Sequence, residues 1–313
     1  MDASPEPVRS DIRAPVVAAF VALAAGAVAM GASPIFVRLA DVDPFTSAFW
    51  RVALSIPMLF LWSALEARGA RGAPREPAPR GALKAVFVAG ALFAGDLFFW
   101  HLAIVNTTVA NATFLATTAP VWVIIGSGLV IGEVVGRSTV VGLALCLVGA
   151  GALIGSSYSL APDRLAGDLY GLVTSIFFGG YFLAVRLARR HLPPARIMAW
   201  SSVVTSALLF VAAIALGDGL LPRSWGGLGA LVALAFVSHV GGQGLLAYAL
   251  GHLPAAFSSL VIFLEALAAA FLGWLVLGEA LGPWQYAGGL AILFGIYVAR
   301  PRRGGGPAQP PGS

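Results

Sequence analysis

Long apolar runs, each about the length that crosses a bilayer, alternate with short polar or Gly/Pro-rich interruptions along almost the whole chain. The runs cover residues 15–38, 45–65, 82–105, 108–131, 138–157, 168–188, 197–216, 226–250, 256–278 and 283–300. A helix that spans lipid needs about 20 mostly apolar residues. The pattern therefore predicts an all-α integral membrane protein of ten transmembrane helices. Residues 1–14 read as a polar N-terminal segment, 69–81 as a Pro/Gly-rich loop, and 301–313 as a disordered tail. Ala27-Val28-Ala29 after Arg9 and Arg13 imitates a signal-peptide cleavage site, but the apolar run is too long for an h-region and is read as the first span.

The pattern repeats. Residues 128–151 align with 274–297 at an offset of 146, with eight identities in 24 positions, Gly132-Glu133/Gly278-Glu279 among them. A second echo pairs Val37-Arg38-Leu39-Ala40 with Val185-Arg186-Leu187-Ala188. The halves are 15–157 and 158–300, with five spans each. Because five is odd, the second half enters the membrane from the opposite side. Two inverted halves with a site between them at mid-depth are a transporter plan.

Charge orients this plan. The 313 residues are 59% hydrophobic and only 11% charged, against roughly 25% charged in a soluble domain. With the N-terminus in the cytoplasm, 14 Lys and Arg fall on cytoplasmic segments, and only Arg164 and Arg223 fall on the other side. This positive-inside bias puts both termini in the cytoplasm, and scarce lysine beside many arginines and alanines points to a GC-rich bacterial genome, hence to the inner membrane. The net charge of +5 lies between apolar runs and not on one water-facing surface, so no nucleic-acid partner follows. Lipid and a small solute are the partners. Cys146 is the sole cysteine, which excludes an intrachain disulfide. The GxxxG pairs Gly128/Gly132, Gly151/Gly155 and Gly278/Gly282 point to internal packing, in a monomer or weak dimer. The sequons at Asn106 and Asn111 carry no weight, the second because it lies within a span.

Several chemistries are excluded or unsupported. The only lysine, Lys84, follows Leu83, so the Gly-Lys-Ser/Thr of a P-loop is absent. His101, His191, His239 and His252 form no local metal motif, and no Gly-x-Ser-x-Gly elbow is present. No cofactor is implied, and an intramembrane enzyme or a non-transporting scaffold stands as the alternative.

Polar groups inside the spans mark the candidate site, because an ionised side chain at mid-membrane costs about 2.5–3.5 kcal/mol. Asp96 and Thr117 lie about 10 residues either side of the third turn, hence at similar depth, and Asn111 shares the fourth span. Asp96 either pairs with Arg51 to support packing or binds solute or proton directly. His239 and Glu265 are likewise level in spans 8 and 9, with Gln243 on the His239 face. Phe99, Trp100, Tyr181 and Tyr248 offer flat walls for a planar solute. Gly31-Ala32-Ser33 in the first half, followed by Pro34, answers to Gly179-Gly180-Tyr181 in the second, with Ser33 the counterpart of Tyr181. Pro34 frees a carbonyl, and this region is the expected gate.

The stretches Phe98-Phe99-Trp100-His101-Leu102-Ala103, Val109-Ala110-Asn111-Ala112 and Thr117-Thr118-Ala119-Pro120 resemble spans three and four of the EamA-type drug/metabolite transporter superfamily. Trp50-Arg51 and the two Gly-Glu pairs add to the resemblance, which covers residues 15–300. It implies that spans 1–4 and 6–9 surround a cavity and that spans 5 and 10 are peripheral. His101 is a candidate for the lining. The resemblance also implies alternating access, with export of amino acids, aromatic ones included. One departure concerns span 9: Ala266 stands where the second repeat often has proline, which puts a helix break there in question.

Overall fold

The computed structural model describes residues 13–69, 78–107, 109–154, 164–277 and 282–301. Apart from short connections, these residues are helical and fall into ten consecutive spans: 13–39, 44–69, 80–106, 109–130, 137–154, 165–188, 194–216, 225–249, 255–277 and 283–299. Seven segments are long and apolar enough to cross a bilayer unaided, and shorter apolar helices lie at Phe114–Val130 and Arg137–Leu153. Local chemistry starts several spans. Asp43 caps span 2 by accepting the Thr46 N–H at 3.0 Å, with Pro44 supplying the first helical residue. Ser224 caps span 8 through the Gly227 N–H at 2.9 Å. Gly132, at φ +69°, turns the chain out of span 4.

Four spans are broken in mid-course. Span 1 divides into Arg13–Gly31 and Ser33–Leu39, and span 2 into Pro44–Ala53 and Ile56–Gly69. Span 4 divides into Val109–Ala116 and Ala119–Val130, and span 9 into Ala255–Val261 and Phe263–Leu277. Pro34, Pro57 and Pro120 explain the first three, since proline donates no N–H and its ring displaces the carbonyl four residues earlier. Hydroxyls bond carbonyls beside the breaks: Thr117 donates to Phe114 O at 2.7 Å, Thr118 to Leu115 O at 2.6 Å and Ser55 to Val52 O at 2.6 Å. Span 9 breaks at Ile262 although Ala266 replaces proline, so the interruption does not depend on that residue. There Ser259 donates to Ala256 O at 2.8 Å. Span 8 is continuous but widens into a π-helix over Leu234–Gln243, which carries both His239 and Gln243.

The internal twofold shows in the packing of span 5 on span 10. Cys146 donates to the carbonyl of Ile292, its own counterpart at an offset of 146, at 3.6 Å. Either side of that point, a β-carbon on Gly142 would lie 2.6 Å from Gly295 O, and one on Gly149 would lie 2.6 Å from Gly288 O. Each contact is the other's image under the offset. Close helix approach therefore uses these glycines. Gly128 and Gly132, singled out by GxxxG spacing, have open space where a β-carbon would go, and Gly155 and Gly278 lie outside the described residues.

The same relation holds around the expected gate. A β-carbon on Gly31 would meet Glu265 O and the Ala268 β-carbon at 2.7 Å each. One on Gly179 would meet the Trp122 β-carbon at 2.8 Å and Ala119 O at 3.1 Å. Ala119 and Trp122 are the 146-residue counterparts of Glu265 and Ala268. These two glycines hold span 1 against span 9 and span 6 against span 4. Gly180 is different, since its nearest neighbour is the flexible end of Leu92 at 3.2 Å. Gly31→Val is expected to destabilise by about 1–3 kcal/mol through overpacking against backbone, whereas Gly180→Ala stays close to wild type. Thermal unfolding in detergent separates them, and equal midpoints would refute the packing role of Gly31.

Candidate functional site

Three of the four breaks converge on one cavity of about 130 Å³. Ser33 and Pro34 line it at the break in span 1, Thr117, Ala119 and Pro120 at the break in span 4, and Ile262 and Phe263 at the break in span 9. Among the described residues, spans 5, 7 and 10 contribute nothing to the wall. One part of the wall is aromatic, with Phe93, Trp100, Phe178, Phe182 and Phe263. A second part is polar or charged, with Arg51, Asp96, Thr174, Gln243, Ser259 and Glu265 joining Ser33 and Thr117, and aliphatic residues such as Met30, Leu97 and Ile262 complete it. At roughly 10–15 Å³ per water the space holds on the order of ten waters, or a solute with about that many heavy atoms.

Buried polar atoms ordinarily have hydrogen-bond partners. Here Ser33 Oγ, Arg51 Nε, Thr174 Oγ1 and Gln243 Oε1 are buried in the wall without one among the described residues. The amide nitrogen of Gln243 donates to Met30 Sδ at 3.1 Å. The ion pair between Arg51 and Asp96 that the sequence allowed is not formed. Arg51 instead lies over the Phe93 ring, 6.0 Å from its centroid, with Glu265 and Asp96 both near enough to act on its charge.

Of the residues expected at the site, Ser33, Pro34, Asp96, Trp100, Thr117, Gln243 and Glu265 reach the cavity. His239 stands one layer behind: its Nε2 pairs with Ser202 Oγ at 2.8 Å and its ring packs on Phe93 at 5.5 Å. Tyr181 is behind the wall too, between Phe93 and Phe178, with its hydroxyl toward Met198 Sδ at 3.7 Å. His101 is buried against Phe45 and Trp100, with Nδ1 on the Leu97 carbonyl. Phe99 packs on Phe177 and Tyr170, and Tyr248 on His252. The Asn111 side chain lies outside the described residues. Arg51, Phe93, Phe178 and Phe182 were not singled out as lining. A charge inside an apolar span was the available signal for Arg51, but nothing marks one phenylalanine among 19.

Beneath the cavity, toward the ends that carry the Arg-rich segments, a second polar cluster joins the halves. Arg186 Nε meets Glu133 Oε1 at 2.6 Å, and Glu133 Oε2 accepts the Ala255 N–H at 2.9 Å. Arg186 also donates to Leu250 O at 2.6 Å, Arg189 to Ala247 O at 2.8 Å and Arg190 to Ile131 O. Both repeated motifs, Gly-Glu and Val-Arg-Leu-Ala, thus supply residues to this clasp; Glu279 of the second copy lies outside the described residues.

With this geometry established, comparison with known proteins identifies the lineage. The EamA-like transporter family model matches residues 17–155 and again 165–300, once for each half. The chain belongs to the EamA-like transporter family. A similar protein is the pseudopaline exporter CntI of Pseudomonas aeruginosa, 28% identical over 225 residues, which covers 70% of this chain and 76% of that exporter. An uncharacterized transporter of Archaeoglobus fulgidus is 30% identical over 201 residues, covering 63% of this chain and 69% of that protein. A solved protein structure of 20% sequence identity superposes with a TM-score of 0.73 over 91% of this chain and 97% of its own, which supports the fold alone. The family makes this chain a transporter.

Glu133→Gln would set an amide NH₂ against either the Ala255 N–H or the Arg186 guanidinium. The pair is mostly shielded, with side-chain exposures of 17% and 20%, and hydrogen bonds to charged groups contribute about 1.5–3 kcal/mol. The variant is expected to unfold about 3–8 °C lower in detergent. A midpoint within 1 °C of wild type, on the order of measurement error, would show that the clasp contributes nothing.

Proposed function

We propose that this transporter exports small amphipathic metabolites of the amino-acid class, aromatic ones included, by alternating access across the bacterial inner membrane. Both termini then face the cytoplasm. The observation that carries the reading is the mixed wall of the central cavity. A guanidinium, two carboxyls and unpartnered hydroxyl and amide groups address a charged headgroup, while Trp100 and the phenylalanines address an apolar side chain. The volume supports a solute of amino-acid size. The broken spans support movement, because a rod interrupted at mid-depth can bend there without losing regular hydrogen bonds elsewhere. The bias of arginines toward one face supports the orientation.

Purified protein in liposomes preloaded with unlabelled solute gives the test by counterflow. Labelled phenylalanine is expected to accumulate transiently, with sugars inert. Transport of sugars or cationic drugs, with no amino acid moving, would overturn the substrate reading. Trp100→Ala is expected to raise KM for phenylalanine about 3–10-fold, the worth of one aromatic contact. KM for alanine should shift less than about twofold.

A further inference from the structure

Arg51 sits in an expensive position. It is 7% exposed, its Nε has no hydrogen-bond partner, and among the described residues no carboxylate oxygen lies within 4.0 Å of its guanidinium. A buried cation is tolerated where opposite charge and hydrogen bonds compensate it. Here the guanidinium lies over the Phe93 ring at 6.0 Å, and the carboxyls that could neutralise it, Asp96 and Glu265, line the same cavity without pairing with it. The guanidinium holds five donors in a planar fork that matches a carboxylate in two parallel hydrogen bonds.

We infer that Arg51 binds the carboxylate of the transported solute while Asp96 and Glu265 receive its cationic end, so that the cavity selects zwitterions. The inference rests on the carrier reading given above and narrows it. A zwitterion adds no net charge to the cavity. A solute with a carboxylate but no ammonium meets two acidic groups with nothing to offer them. A solute with an ammonium but no carboxylate leaves Arg51 unpaired. Each half-matched solute therefore pays for the group it lacks, which is the steeper form of discrimination.

Three probes of one shape separate these cases: phenylalanine, phenylalaninamide and N-acetylphenylalanine. They are compared by counterflow in liposomes clamped at zero membrane potential, because their net charges differ. Wild type is expected to favour phenylalanine at least about 10-fold over either analogue, the worth of one lost charge-assisted contact. Arg51→Gln is expected to raise KM for phenylalanine about 10–100-fold and to change KM for the amide less than about threefold, collapsing the preference. Arg51→Lys, which keeps the charge without the fork, falls between. It carries the test if Arg51→Gln does not elute as a folded monodisperse species. Equal transport of acid and amide by wild type would overturn the inference. So would an Arg51 variant, folded by the same criterion, that weakens both alike or neither. If the broader panel moves only solutes without a carboxylate, the anchor fails and the carrier stands. If nothing moves, the carrier reading itself has failed.

Discussion

Lipid offers the backbone no hydrogen-bond partners, so irregular main chain survives at membrane depth only where protein or enclosed water replaces them. That constraint organises this molecule. The breaks at Ser33, Thr117–Thr118 and Ile262 do not scatter over the lipid-facing surface; they meet around one cavity. The hydroxyls of Thr117, Thr118 and Ser259 take up carbonyls at or beside the interruptions, so the bends cost little where they occur. The same bends that the membrane forbids elsewhere make room for a solute here. Rigidity is supplied at the periphery, where spans 5 and 10 pack glycine to backbone about the Cys146–Ile292 contact.

Much of this architecture is legible in the sequence because lipid simplifies the rules. A spanning helix must be long and apolar, and ten such runs stand out in the order of residues alone. The Gly132-Glu133 repeat with its offset of 146 foretells a second half, and Cys146 touches the residue at that offset. Pro34 announces its break correctly. The break in span 9 is silent in this respect, because Ala266 supplies no steric reason for it; the segment Ala255–Val261 before it packs against span 4.

The lining was harder to read, for a reason that follows from the same solvent. In a soluble helix the apolar stripe shows which face is inward. In lipid both faces are apolar, so periodicity cannot say which phenylalanine of Phe93, Phe98 and Phe99 meets the cavity. Equal depth cannot say it either. By residue count His239 and Glu265 are level, yet the π-helix holds His239 against Ser202, while Glu265 opens on the cavity. Depth fixes one coordinate of a side chain, and rotation about the helix axis remains to be set by packing.

The two clusters of charge in the described chain differ in a way that bears on mechanism. In the clasp, Glu133 meets an arginine and a backbone N–H, and the arginines beside it reach carbonyls. It is a closed set, and a solute would have to break it to gain anything. In the cavity, Arg51, Gln243, Ser33 and Thr174 keep buried atoms without partners while both carboxyls stand apart from the guanidinium. Satisfied polar clusters rigidify a structure, whereas unsatisfied ones carry a free-energy cost that a ligand relieves. A carrier needs both kinds, one to hold the halves together at a rim and one to make the empty cavity less favourable than the occupied one. Their separation along the membrane normal therefore assigns stability to the Gly-Glu motif and selectivity to Arg51 of span 2.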